Sequence, residues 1–152
     1  LAEVAGQVPL LLELKDQDGA LGPEVGALER AAAAALAGYD GPVALMSFNP
    51  YSVAMMADLA PDRPRGLTTC AFAAADWPQV PEPRRAAHRV MRLLGDVGAA
   101  FISHDARDLR AAPVDAARTR GLPVACWTIR SPEAAAAALE VADCITFEGF
   151  LP

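Results

Sequence analysis

Side chains able to do chemistry collect where short apolar runs end. Glu13 and Lys15 close a run that begins near Val8, and Ser47 closes Pro42–Phe48. Thr69 ends Gly66–Cys70, and Ser103, His104 and Asp105 end Ala99–Ser103 and begin the loop after it. Trp127 and Thr128 lie at the end of Pro123–Ile129, and Glu148 follows Cys144–Phe147. In parallel α/β proteins the C-terminal edge of the sheet holds the active site. The opposite ends carry Gly and Pro turns, so the asymmetry points to an enzyme.

Side chains along Leu10–Lys15 alternate with period two, which puts Leu10, Leu12 and Leu14 on one face and Leu11, Glu13 and Lys15 on the other. With the leucines against a helix layer, a carboxylate and an ammonium stand together at the rim. The carboxylate can ligate a hard divalent cation, and the ammonium can hold a phosphate oxygen. The same two charges can equally neutralise each other. His104 with Asp105 can contact substrate or move a proton, or serve as a hydrogen-bonding cap in a tight loop. His88 falls in an Arg-rich helix and is expected at the surface. Trp127, in phase with Ala125 and Ile129, can wall a ligand pocket or pack in the core. Ser47 has no histidine nearby and no nucleophile-elbow pattern, which argues against a Ser–His–Asp hydrolase. Neither a Walker motif nor a dinucleotide fingerprint is present.

The elements that must position these residues alternate strictly, strand then helix. Strands are expected over Val8–Lys15, Pro42–Phe48, Gly66–Cys70, Ala99–Ser103, Pro123–Ile129 and Cys144–Phe147. Helices are expected over Glu24–Leu36, from the Asn49-Pro50 start through Leu59, over Arg84–Leu94 and Pro113–Arg120, and from Ser131-Pro132 through Val141. The first helix should face inward with Val25, Leu28, Ala32 and Ala35, and the third with Ala87, Val90, Met91 and Leu94. Such alternation predicts a parallel sheet with helical crossovers, either an open doubly wound sheet or part of an eight-stranded barrel.

Composition narrows the partners. Of 152 residues, 53% are hydrophobic and 21% charged, a globular balance. The net charge of −6 excludes a general nucleic-acid binder, which needs a basic surface. Cys70, Cys126 and Cys144 form no paired motif and are expected to be packing residues, consistent with a reducing, cytoplasmic setting. No apolar run reaches the roughly 18 residues that span a bilayer. The start at Leu1, a few residues before an apolar strand, suggests the middle of a longer protein, whose N-terminus could carry a signal segment.

Four motifs occur in a telling order: Leu12-Glu13-Leu14-Lys15, Met46-Ser47-Phe48, Cys126-Trp127-Thr128-Ile129-Arg130 and Asp143-Cys144-Ile145-Thr146. Together they resemble the E-[IL]-K, S-F, W-T-V-N and D-x-I-x-T-D strands of bacterial glycerophosphodiester phosphodiesterases, over essentially the whole chain. The resemblance implies an incomplete (β/α)8 TIM-type barrel, residues 1–152 forming one partial domain without its first two strands. It implies an enzyme of lipid metabolism that hydrolyses glycerophosphodiesters to an alcohol and sn-glycerol 3-phosphate. One divalent cation, Ca or Mg, would sit among three carboxylates, of which Glu13 matches the third. Lys15 matches the phosphate-side lysine and Trp127 an aromatic lining the glycerol pocket, with Ser47 and His104 as further substrate-side candidates. The H-R-G, E-x-D and H-D motifs that supply the acid–base histidines and the other carboxylates are absent. Phe147-Glu148 stands where the family usually has Asp, which leaves the role of Glu148 open. This chain alone is therefore expected to be inactive, and its open sheet edges to favour self-association. Two rivals are a Schiff-base aldolase using Lys15 and a non-catalytic open-sheet binding module.

Overall fold

The structure is a computed structural model that describes residues 1–151. Six strands, β1 (Leu10–Glu13), β2 (Val43–Ser47), β3 (Arg65–Thr69), β4 (Phe101–Asp105), β5 (Val124–Ile129) and β6 (Cys144–Phe147), alternate with helices. The helices are α1 (Ala27–Leu36), α2 (Pro50–Leu59), α3 (Glu82–Arg89), α4 (Ala112–Thr119) and α5 (Pro132–Ala138), with a 3-10 turn at Ala106–Asp108. Strand order follows chain order from β1 to β6, and the β1/β2, β2/β3, β4/β5 and β5/β6 pairings are parallel. A doubly wound sheet reverses its order at a switch point, whereas a barrel does not. The sequential order therefore selects the second alternative, an incomplete (β/α)8-type α/β fold. No helix among the described residues is long and apolar enough to cross a membrane.

Contacts divide the chain into two compact units. The first comprises Leu1–Leu67 with Leu93–Ala99. Its core is Leu14, Leu36, Tyr39, Val43, Leu45 and Met56, with Leu10, Leu12, Leu28 and Ala32 packed on it. The leucine face of β1 thus lies where alternation puts it. Helix α1 starts at Ala27 and not at Glu24, because the Glu29 carboxylate takes the Gly26 N–H at 2.6 Å and fixes the first turn there. Gly26 has φ +134°, a backbone that disfavours any other residue, whereas the Arg30 guanidinium 2.7 Å from a Cβ there could move aside. Helix α2 begins as expected, with Asn49 Oδ1 accepting from Tyr51 N at 2.9 Å and Pro50 in the first turn.

The second unit comprises Thr68–Arg92 and the chain from Ala100 on. Here α3 departs from expectation. It ends at Arg89, and Met91 adopts φ +52°, so the helical phase does not run on to Leu94. Val90, expected inside, is 61% exposed, and His88, expected at the surface, is 6% exposed. Cys70 and Cys126 are buried as packing residues, and burial pushes the Cys126 thiol up to about 11. Cys144 is exposed, lying on β6 at the edge of the sheet formed by the described residues. Ser131 caps α5, its Oγ accepting from Ala134 N at 3.2 Å. Ser131→Ala should cost about 1 kcal/mol of stability and Ser131→Asp almost nothing, as read by urea unfolding.

Candidate functional site

The sequence-derived candidates fall into two sets, one in each unit. In the first unit β1 delivers Glu13 and Lys15 to one face, and their side chains pair at 2.8 Å. Lys15 is 72% exposed and Glu13 19%. The second Glu13 oxygen, Oε1, is buried and has no hydrogen-bond partner among the described residues. Ser47 is buried; its hydroxyl donates to Leu14 O at 2.7 Å and accepts from Asn49 N at 3.0 Å. Those bonds tie β2 to the end of β1 and make Ser47 a brace at this end of the strands. Asn49 extends the brace, donating to Asp16 Oδ1 and Gly22 O at 2.7 and 2.8 Å. An exposed ion pair contributes little, so Lys15→Met is expected to change stability by less than about 0.5 kcal/mol in urea unfolding.

In the second unit β4 and β5 run in register, with Asp105 opposite Trp127. The Trp127 indole N–H donates to Ser103 O at 2.9 Å. His104 is 1% exposed. Its Nδ1 lies 2.8 Å from Thr69 Oγ1, and its Nε2 faces Asp108 Oδ2 at 3.6 Å without a hydrogen bond among the described residues. Burial lowers the His104 pKa, opposed by the Asp108 charge. Asp105 caps the 3-10 turn through Arg107 N at 2.9 Å and pairs with the Arg107 guanidinium at 2.6 Å. Burial raises the Asp105 pKa, but the hydrogen bonds and charge of Arg107 together hold it below the ordinary value.

Of these residues Asp105, Arg107, Asp108 and Trp127 border a cavity of about 440 Å³, whose wall also includes Cys70, Asp76 and Trp77. Arg107, Asp76 and Trp77 carry no strand-end signal, because they lie in the loops after β3 and β4, so reading strand ends alone passes over them. His88 and His104 are the only two histidines, and both are buried. Among the described residues no three His, Cys, Asp or Glu side chains cluster to hold a metal ion. Glu13 has the oxygen chemistry for one ligand, but the residues present do not complete a divalent site.

The class of fold, an incomplete (β/α)8-type barrel, finds its counterparts among solved glycerophosphodiester phosphodiesterases. A phosphodiesterase from Oleispira antarctica, solved in complex with the product sn-glycerol-3-phosphate, aligns with a TM-score of 0.66 at 21% identity over 96% of this chain and 53% of that one. A glycerophosphodiester phosphodiesterase from Parabacteroides distasonis gives 0.64 at 18% identity over 96% and 56%. A third, from Agrobacterium tumefaciens, gives 0.57 at 16% identity over 95% and 54%. The chain has their fold and spans about half of their length. No family model matches the sequence, and neither does any curated protein.

Proposed function

We propose that the chain forms part of a glycerophosphodiester phosphodiesterase, whose complete barrel hydrolyses glycerophosphodiesters to an alcohol and sn-glycerol 3-phosphate. The observation that carries this reading is the alignment of 96% of the chain with 53% of a phosphodiesterase solved with that product. The order of the motifs that carry Glu13 and Lys15, Ser47, Trp127 and Thr146 supports it.

In this reading Glu13 offers Oε1 to a divalent cation, and Lys15 turns from Glu13 to a phosphate oxygen. A bound Ca or Mg ion would polarise the phosphoryl group. On this reading the chain alone is expected to give negligible turnover, because the H-R-G, E-x-D and H-D motifs that supply the acid–base histidines and two metal carboxylates are not in it. The test is a chimera in which the first two strand–helix units of one of the solved phosphodiesterases precede this chain. Release of sn-glycerol 3-phosphate by the folded chimera, abolished by Glu13→Gln and lowered at least about tenfold by Lys15→Ala, is the expected result. A folded chimera that is inert, or one indifferent to Glu13→Gln, overturns the reading.

A further inference from the structure

The Arg-rich run of α3 lies outside both sets of candidate residues. Arg84, Arg85, Arg89 and Arg92 are four of the chain's 13 cationic side chains, gathered within nine residues that hold no carboxylate, although the whole chain carries −6. The helix dipole accounts for only part of this. It favours cations in the last turn, where Arg89 lies, and disfavours them near the start, where Arg84 and Arg85 follow Pro83. Elsewhere Lys15, Arg107, Arg110 and Arg130 each pair with a carboxylate. Arg85, Arg89 and Arg92 pair with none among the described residues. Backbone holds two of them instead, Arg85 donating through Nη1 to Val80 O and Arg89 through Nε to Ala71 O at 2.9 Å. Each such bond uses one of the five guanidinium N–H donors and leaves the charge uncancelled. At the end of α3, Met91 N donates to His88 O at 2.9 Å and Arg92 N to Ala87 O at 3.1 Å, the bond pair of a Schellman turn. That turn folds Arg92 back against the last turn of the helix and leaves Val90, next to Arg89, 61% exposed.

We propose that this face of α3, with Arg85, Arg89 and Arg92 around the exposed Val90, docks on an anionic lipid surface. Each arginine close to such a surface adds to the attraction. A guanidinium also meets two phosphate oxygens at once, where an ammonium acts as a point charge. All four cations of the run are Arg, and the chain's single lysine, Lys15, lies elsewhere. An apolar side chain among the cations suits the boundary between headgroups and acyl chains. A carboxylate-rich protein segment satisfies the charges alone, whereas a bilayer satisfies the charges and covers Val90. The acidic remainder of the chain is repelled by the same surface, so the basic face is the one that leads. Helix α3 connects β3 and β4, inside the strand order and not at its β1 or β6 edge. Strands that complete a barrel at those edges therefore leave this face open. The inference stands on this surface and not on the phosphodiesterase reading.

Sedimentation of the chain with vesicles tests the proposal. At about 0.05 M salt, vesicles of phosphatidylcholine with about 30% phosphatidylglycerol should carry down half of the chain at about 1–10 mM accessible lipid. Pure phosphatidylcholine vesicles should carry down none, and raising the salt to about 0.5 M should release the chain. Arg92→Gln should weaken binding about fivefold, and Val90→Ser about twofold to threefold. Both positions are exposed, so both variants keep the fold, which far-UV circular dichroism checks. Absence of sedimentation overturns the proposal, as does equal sedimentation by neutral vesicles or binding unchanged in a folded Arg92→Gln variant. Retention on immobilised polyglutamate without vesicle binding would make the partner an acidic protein segment. Self-association that Arg92→Gln abolishes, again without vesicle binding, would make it a second copy of the chain. Either result sinks the lipid reading. No arm requires turnover, so its failure is separable from that of the phosphodiesterase reading.

Discussion

Phe72→Ala is expected to destabilise the protein by about 3–5 kcal/mol, the range for removing a buried aromatic ring and leaving a cavity. Phe72 is 1% exposed and heads the fully buried side chains by volume. Its ring centroid lies 5.2 Å from both the Trp77 and the His88 rings, so one truncation removes the packing of the β3–α3 loop and of the inner face of α3 together. The backbone there has φ +48°, a region costly for a bulky residue, and the burial of the ring offsets that cost, alongside the hydrogen bond from Phe72 N to Cys70 Sγ at 3.4 Å. Alanine inherits that backbone cost without the compensation. Phe72→Leu keeps most of the volume and should lose less than half as much. Urea unfolding followed by tryptophan fluorescence measures both, and the Trp77 emission of the folded Ala variant should shift to the red. A loss below about 1 kcal/mol would mean that the ring is not what organises this loop.

Phe72 also shows where sequence reasoning stops. The strands were legible because each apolar run is short and bounded by Gly, Pro or polar residues. β6 fell on Cys144–Phe147 as read, and the alternation of β1 gave the correct inward leucines. The caps Asn49 and Ser131 were legible because a capping side chain acts within its own turn. What could not be read depends on contacts distant in sequence. Nothing local marks Phe72 as the centre of a cluster, and nothing in the Arg-rich run around His88 says that the helix will stop at Arg89. Once it stops there, the face that looked polar supplies a buried histidine, and Val90 is turned to solvent. The candidate site divides in the same way. Glu13, Lys15 and Trp127 announced themselves as polar or aromatic residues at strand ends. Arg107 and Asp76 come from loops, and they enter the cavity wall only through the Asp105 pairing and the path of the chain after β3. Ser47 was visible as a strand-end hydroxyl, yet its two hydrogen bonds to Leu14 and Asn49 could be found only from the fold.

His88 should make stability fall as the pH is lowered through the range from about 6.5 to about 4. Its ring is 6% exposed, with Nε2 lacking a hydrogen bond among the described residues. Burial, helped by the positive charge of Arg84, pushes its pKa from the ordinary 6.5 down to about 4. Between those two values the unfolded chain holds the proton and the folded one does not. Stability therefore rises with pH across the window, and is lost as the pH falls. Below about pH 4 both states are protonated and the loss levels off. Allowing for residual solvent screening, the effect is worth about 2–3 kcal/mol. His104 is displaced in the same direction by its own burial, and the carboxylates add their own slope, so the wild-type profile alone does not isolate His88. The difference from His88→Leu does. That variant fills a similar space beside Phe72 and cannot take up a proton, so its stability should fall less between pH 7 and pH 4, by about 2–3 kcal/mol. Arg84→Gln, which removes the neighbouring charge and leaves the burial, should shrink the wild-type slope only slightly, because desolvation is the larger cause. Parallel pH profiles for wild type and His88→Leu would show that the ring is hydrated in solution and that α3 does not hold it against Phe72.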